Sequence, residues 1–333
     1  MENSDFIFEA QNRLFEDIKK NLPEQYALVD MIADVLDIGM DSAYRRINCK
    51  KLLSIKETAT LCRHFKISFD SLIGNNNNHQ LNYIYRPVNL SKPDAYLNYI
   101  LALANIFRKL RTSADSSIIL SAIDIPVFHL LSQKELIFFK LYAWSHSVYD
   151  YSGSLEDFIK ETETPKINSL HQQICNDYEY IASAEIFTTS SLENTLRLIN
   201  YYVEIGKFTS RDFPLLLCEQ ILNILDRKRI WAENSYKNDY TIPYKLFLSE
   251  IDFECSYILL NNSGEKNCFV KLFTVNNIKV MDKDFCIEAE NYLTKLSQRS
   301  VLLCGSSEKE RIKFFNSQQQ KIRYLMGKIQ QSF

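Results

Sequence analysis

Residues 32–47 read Ile-Ala-Asp-Val-Leu-Asp-Ile-Gly-Met-Asp-Ser-Ala-Tyr-Arg-Arg-Ile. Apolar residues recur at helical spacing on both sides of residues 37–39, which predicts a helix, a tight turn and a second helix. The small side chain of Ala33 lets the two helices cross closely. The packing between them is assigned to Leu36, Ile38, Ala43 and Ile47. The polar side chains expected to point outward are Ser42, Tyr44, Arg45, Arg46 and Asn48.

Three more helices are expected around this pair, so that residues 1–74 form a five-helix domain. One helix covers 8–22, and the first helix of the pair extends over 24–36. The capping-box sequence Ser54-Ile55-Lys56-Glu57 predicts the start of another helix that runs to about Phe65, and 68–73 can form a last turn. Residues 74–80, Gly-Asn-Asn-Asn-Asn-His-Gln, have no apolar side chain to bury, so we expect a linker over 75–92.

The charge of this N-terminal domain is strongly segregated. Residues 1–39 carry three basic and nine acidic side chains, a balance of −6, whereas residues 40–66 carry seven basic and two acidic ones, a balance of +5. The whole chain has a formal charge of only −2. A local step of this size predicts a basic face that can displace counterions from a phosphate backbone.

The pattern resembles the lambda-repressor-like helix-turn-helix family, of the Cro/CI or XRE type, over residues 24–73. The resemblance is carried by Ile32-Ala33-x-x-Leu36-x-Ile38, by Ala43-Tyr44-Arg45-Arg46-Ile47, and by the apolar spacing from Leu53 to Leu72. It implies a recognition helix from Met40 or Asp41 to Asn48 that enters the major groove of double-stranded DNA. The candidate DNA-binding residues are Ser42, Tyr44, Arg45, Arg46, Asn48, Lys50 and Lys51.

The sequence also departs from the family pattern. Family members often carry a Thr-Gln pair at the start of the second helix, where this chain has Leu28-Val29. They usually have glycine in the turn between the helices and again after the recognition helix, where this chain has Asp37 and Cys49. Aspartate tolerates a left-handed backbone, and cysteine fits one less well.

Residues 93–333 are expected to form a larger, mostly helical region for sensing or oligomerisation. Glycine and proline number only seven each, which favours long elements over a turn-dense β fold. Helical spacing covers 93–110, 132–144, 165–186, 191–205, 210–233, 283–298 and 307–329. A β-hairpin is expected at about 255–273, with weaker strand signals at 118–128 and 278–281. The predicted fold class is therefore mainly α with a small hairpin or sheet.

Several kinds of chemistry are disfavoured by spacing. The eight cysteines lie at least 13 residues apart and the seven glycines at least 22 residues apart, so neither a zinc-type Cys pair nor a phosphate-binding glycine loop can be built. No cofactor, metal or catalytic residue is expected. An enzyme hypothesis based on Asp282, Asp284 or Glu308 has no supporting spacing. The acidic start and the lack of a long uncharged apolar run indicate a cytoplasmic protein that does not enter a membrane.

The last predicted helix is a candidate for self-association. A stripe of residues, apolar except for Gln319, recurs at spacings of three and four, which is typical of a two-helix seam: Ile312, Phe315, Gln319, Ile322, Met326 and Ile329. The alternative is that this stripe packs on the chain's own helix 283–298. A homodimer is expected because one helix-turn-helix covers only a short half-site.

These features predict a DNA-binding transcriptional regulator that is not an enzyme and that responds to an unidentified small-molecule or protein effector. The alternative is an adaptor that uses the same helical core for protein–protein contacts without DNA.

Overall fold

The computed structural model describes residues 2–22, 27–73, 81–92 and 94–332. The chain forms two compact units, Met1–Asn82 and Tyr83–Phe333. The asparagine run 75–78, expected to be part of a linker, lies outside the described residues, as does the expected helix start at 24–26.

Five helices are described in the first unit: α1 (Glu2–Asn21), α2 (Leu28–Leu36), α3 (Met40–Ile47), α4 (Ile55–Phe65) and α5 (Phe69–Ile73). Leu14, Phe15 and Ile18 recur at helical spacing on α1 and are buried in one core with Ile32 and Leu61. The capping box that begins α4 is confirmed, because the Ser54 hydroxyl accepts from Glu57 N–H and the Glu57 carboxylate accepts from Ser54 N–H.

The second unit contains both strands and helices. Its described strands are β1 (Tyr83–Tyr85), β2 (Ser116–Ala122), β3 (Ala182–Thr188), β4 (Tyr236–Lys237), β5 (Ile242–Ser249), β6 (Tyr257–Asn262), β7 (Glu265–Phe273), β8 (Asn276–Val280) and β9 (Val301–Leu302). Its described helices are α6 (Ala95–Thr112), α7 (Val127–Leu130), α8 (Lys134–Val148), α9 (Leu155–Thr162), α10 (Pro165–Glu179), α11 (Glu193–Glu204), α12 (Asp212–Asn234), α13 (Asn238–Thr241), α14 (Lys283–Gln298) and α15 (Glu308–Ser332).

The nine strands form one mixed sheet in the order β1-β8-β7-β6-β2-β3-β5-β4, with β9 also paired to β5. The neighbours β2, β3 and β5 run parallel, and the other pairs are antiparallel. β6 and β7 form a hairpin whose two turn residues, Ser263 and Gly264, both have left-handed backbone (φ 51° and 90°).

Helices cover both faces of this sheet. Alternate residues of β2 enter different cores, with Ile118 and Leu120 in the larger one and Ile119 packed against the smaller one. The larger core includes buried residues of α6, α8, α10, α12 and α15. The smaller core joins the opposite face to α14 through Cys286, Ala289 and Leu293. None of the described helices has an apolar segment long enough to cross a membrane.

The fold class expected from the sequence, mainly α with a five-helix N-terminal domain and a mostly helical remainder, is wrong. The chain has a nine-stranded mixed sheet, and its N-terminal helices are followed by a strand of that sheet from Tyr83. That strand lies inside the range 75–92 that was expected to be a linker. The 255–273 hairpin contributes two of the nine strands rather than a separate small sheet.

The helix predicted over 165–186 is wrong at its end, where the central strand β3 lies. The structure ends α10 at Glu179 and begins β3 at Ala182. The sequence pattern does not predict this strand, because the charged residue Glu185 interrupts its apolar residues. That carboxylate is nevertheless fully buried, since His129, Tyr178 and Lys228 all bind it.

The dimer seam proposed for the last helix is also wrong. α15 packs within its own unit, mainly against α12 and α11. Ile322 is completely buried there, and Phe315 and Ile329 are 1 % exposed. The alternative partner, helix 283–298, is wrong as well, because α14 lies in the smaller core on the other face of the sheet.

Candidate nucleic-acid interface

The turn between α2 and α3 depends on one left-handed residue. Asp37 has φ 53° and ψ 53° and ends α2. The following Ile38 N–H donates to Ala33 O at 3.0 Å, which closes the helix end. Gly39 is extended and precedes α3. The tight turn predicted from residues 32–47 is therefore built without glycine at its left-handed position.

α3 presents one buried and one exposed face. Ala43 is completely buried against the core of the first unit, whereas the Tyr44 side chain is 51 % exposed. Arg45 and Asn48 are exposed, and Ser42 is half-buried. The Asn48 side-chain amide donates to Tyr44 O at 2.9 Å, so it caps the end of the helix. Three of the expected contact residues, Tyr44, Arg45 and Asn48, thus reach solvent together.

Arg46 does not point outward, and that expectation is wrong. It is only 5 % exposed, and its guanidinium donates to Glu57 Oε1 from Nη2 at 2.6 Å and from Nε at 3.1 Å. A third donor, Nη1, binds Ser42 O at 3.0 Å. Helical spacing explains the difference, because Arg46 lies three residues after Ala43 and shares its inward face. Arg46 joins α3 to the start of α4.

Lys50 and Lys51 are exposed on the segment that follows α3. Their N–H groups both donate to Arg45 O, at 2.8 and 3.1 Å, so the segment folds back on the helix end. Cys49 makes this possible with a left-handed backbone of φ 53°, and its thiol donates to Asn12 Oδ1 at 2.9 Å. The second position where the family pattern has glycine is thus left-handed here too.

Gln11 on α1 holds this segment in place. Its buried side-chain amide donates to Arg46 O at 2.7 Å and to Lys51 O at 3.0 Å, and its Oε1 accepts from Leu53 N–H at 2.8 Å. One side chain therefore satisfies three backbone groups between α3 and α4. The sequence reasoning missed Gln11, because its partners lie 35 to 42 residues away.

Most basic side chains between residues 40 and 66 are exposed. Of the seven basic residues between 40 and 66, Arg46 alone has an ion pair with a side chain in the described part of the chain. The six others, all exposed, are Arg45, Lys50, Lys51, Lys56, Arg63 and Lys66. Burial raises the pKa of Glu57, but hydrogen bonds from Arg46 and Ser54 more than offset this and lower it overall. Glu57 therefore remains an anion and neutralises Arg46 only.

The second unit has a buried ionic cluster around Glu185. His129 Nε2 lies 2.9 Å from Glu185 Oε1, Tyr178 OH donates to the same oxygen at 2.5 Å, and Lys228 binds the other oxygen. Burial lowers the pKa of His129 to about 3, so the imidazole is neutral. Glu185 and His129 are completely buried, so this ionic cluster lies inside the core of the second unit.

The remaining candidate groups do not assemble into a metal site. Within the described ranges, no three His, Cys, Asp or Glu side chains are placed to hold a metal ion. Asp282 caps α14 by accepting from Phe285 N–H at 2.9 Å. All eight cysteines are free. An open cleft of about 400 Å³ lies where β2, β3 and β5 begin, and its lining includes Arg111, Ser116 and Tyr180.

Comparison with known proteins adds no relative: no family model matches the chain, and neither a curated protein nor a solved structure was found to be similar.

Proposed function

We propose that the chain is a cytoplasmic DNA-binding transcriptional regulator that inserts α3 into the major groove of double-stranded DNA. The observation that carries this proposal is the exposed face of α3 and the segment after it. Tyr44, Arg45 and Asn48 lie next to Lys50 and Lys51 in the chain. The three cations in this set, Arg45, Lys50 and Lys51, form no ion pair with a described side chain. Arginine and asparagine are the side chains that read base edges, and lysines bind phosphates.

The resemblance of residues 24–73 to lambda-repressor-like proteins supports the same assignment. The contact set is Ser42, Tyr44, Arg45, Asn48, Lys50 and Lys51. Arg46 is left out because its donors are used within the first unit.

The decisive experiment is selection of random duplex DNA on the full chain, followed by binding measurements on the best site. Arg45→Ala is expected to weaken binding to that site by about tenfold to a hundredfold, because a bidentate contact to a base contributes roughly 1–3 kcal/mol. The exposed Lys19 on α1 supplies a matched control, and Lys19→Ala is expected to bind as the wild type does. No enrichment of any duplex, or equal binding by Arg45→Ala and the wild type, would contradict the proposal.

The second candidate is a protein-binding adaptor, and one observation favours it. Large apolar side chains near α3 are exposed: Met40 (50 %), Leu52 (40 %) and Ile55 (90 %). Exposed apolar side chains grouped on a surface are typical of protein contact sites. Salt separates the two functions, because DNA binding through several phosphates weakens steeply as salt rises and an apolar contact does not.

A regulator of this kind needs two copies on adjacent half-sites, so we include a homodimer in the proposal. The second unit is then the region for dimerisation or for sensing an effector. The buried face of α15 is not the dimer surface. Sedimentation at micromolar concentration tests the dimer directly, and a monomer would contradict it.

A further inference from the structure

The exposed face of α3 carries two large side chains that are mainly apolar. Met40, the first residue of the helix, is 50 % exposed, and Tyr44, four residues later, is 51 % exposed. Residues four positions apart lie on the same face of a helix, one turn from each other. Met40 and Tyr44 therefore form an apolar strip that starts at the N-terminal end of α3.

The core of the first unit does not cover this apolar strip. Other apolar side chains of α3 do enter that core, because Ala43 belongs to it and Ile47 packs against it. About half of the Met40 and Tyr44 side chains remains in water instead. A partner that covers the apolar strip would gain free energy by removing that surface from water.

Cations adjoin the apolar strip. Arg45 directly follows Tyr44, and Lys50 and Lys51 lie on the segment that folds back on the end of α3. All three are exposed, and none forms an ion pair with a side chain among the residues that the structure describes. The charge of this surface is complementary to a polyanion, so its partner must offer both negative charge and a small apolar group.

The major groove of duplex DNA offers both. Its phosphates supply the charge. Among the groups that the four bases present in the groove, the C5-methyl of thymine is the apolar one, and the others are hydrogen-bond donors and acceptors. The N-terminal residues of a recognition helix are the ones that contact base edges, and Met40 occupies that end of α3.

We propose that Met40 and Tyr44 contact thymine methyl groups, so that the preferred half-site contains thymine beside the base contacted by Arg45. This inference rests on the proposed insertion of α3 into the major groove, and it adds the base that the apolar strip selects. The methyl group alone carries the discrimination, because the apolar strip gains nothing from the hydrogen-bonding groups of the base.

The test replaces thymine by uracil, one position at a time, in the best duplex selected on the full chain. Uracil keeps every hydrogen-bonding group of thymine and lacks only the methyl. At the thymine positions that α3 covers, the wild type is expected to bind the uracil duplex about fourfold more weakly, because burying one methyl-sized apolar group contributes about that much. The ratio of the two affinities does not depend on the fraction of protein that is folded.

Three variants assign the effect to the apolar strip. Met40→Ala/Tyr44→Ala is expected to bind the thymine and uracil duplexes equally at those positions. Met40→Leu/Tyr44→Phe keeps both side chains apolar and should keep the ratio of about fourfold. Ile55 on α4 supplies a matched control, because it is 90 % exposed and lies outside α3, and Ile55→Ala should also keep that ratio.

The inference would be overturned if the wild type bound every uracil duplex as tightly as its thymine counterpart. The same uracil effect in the wild type and in Met40→Ala/Tyr44→Ala would overturn it too, as would loss of the effect in Ile55→Ala or a selected site without thymine.

These outcomes are distinct from failure of the proposed function. If a duplex is enriched and its binding depends on Arg45 but shows no uracil effect, α3 binds DNA and the thymine contact is wrong. If no duplex is enriched, the proposed function and the thymine contact are both wrong.

Discussion

The guanidinium of Arg46 on α3 lies 2.6 Å from Glu57 Oε1 on α4, while Glu57 Oε2 accepts from Ser54 N–H at 2.8 Å. One carboxylate therefore completes the capping box of α4 and binds the buried cation of α3. The two adjacent arginines therefore differ, because Arg45 is exposed and forms no ion pair with a side chain among the residues that the structure describes.

Arg46→Ala is expected to lower the free energy of unfolding of the first unit by about 2 kcal/mol, since hydrogen bonds to charged groups contribute roughly 1.5–3 kcal/mol. Arg45→Ala should leave that free energy within about 0.5 kcal/mol of the wild type, because an exposed side chain has few contacts to lose. Denaturant unfolding monitored by circular dichroism measures both. Equal stability of the two variants would contradict the structural role of Arg46.

Acid should destabilise the second unit through two buried histidines. Burial lowers the pKa of His129 to about 3 and that of His171, whose Nε2 lies 2.8 Å from Tyr96 OH, to about 4. In the unfolded chain each histidine takes up a proton near pH 6.5, so the unfolded state binds more protons below that pH and stability falls. Lowering the pH from 7 to 5 is expected to reduce the free energy of unfolding of the second unit by about 2 kcal/mol for each histidine.

The pH effect is measured by denaturant unfolding at a series of pH values. In the variant His171→Gln, the free energy of unfolding should fall less than in the wild type as the pH is lowered from 7 to 5. A stability that is constant over this range would mean that the two imidazoles are not kept neutral in the folded protein.

Ile322→Asp in α15 is expected to disrupt folding rather than association. Ile322 is completely buried between α15 and its neighbours, so an aspartate there would lower the free energy of unfolding by about 4 kcal/mol. Tyr324→Asp, two residues away and 79 % exposed, should change it by less than about 0.5 kcal/mol. A folded Ile322→Asp protein with wild-type stability would restore α15 as a candidate interface.

Asp37→Gly should stabilise the first unit by about 0.5–1 kcal/mol, because glycine adopts the left-handed backbone at φ 53° without steric strain. The matched change Asp34→Gly lies inside α2 on an exposed position and should instead destabilise the unit by about 1 kcal/mol. Thermal unfolding of both variants tests the left-handed turn, and a loss of stability in Asp37→Gly would contradict it.

Local patterns in the sequence determined the helices of the first unit well. The capping box at Ser54 and Glu57, the turn at Asp37 and the buried Ala43 depend on residues within a few positions of one another, where helical spacing and turn chemistry act directly. The prediction that Arg46 points outward is wrong, because a charged side chain is expected to face solvent. Its partner, Glu57, lies 11 residues away and is not part of the local pattern.

The sheet of the second unit was decided by tertiary structure. Glu185 breaks the apolar pattern of β3 and is tolerated only because α7, α10 and α12 bring His129, Tyr178 and Lys228 to it. Tertiary structure also decides the packing of α15. Its apolar stripe predicts that the helix packs on an apolar surface, but it does not identify that surface as α12 and α11. Local sequence patterns indicate which segments bury an apolar face. What each face packs against depends on strand pairing and helix packing, which join residues that no local pattern connects.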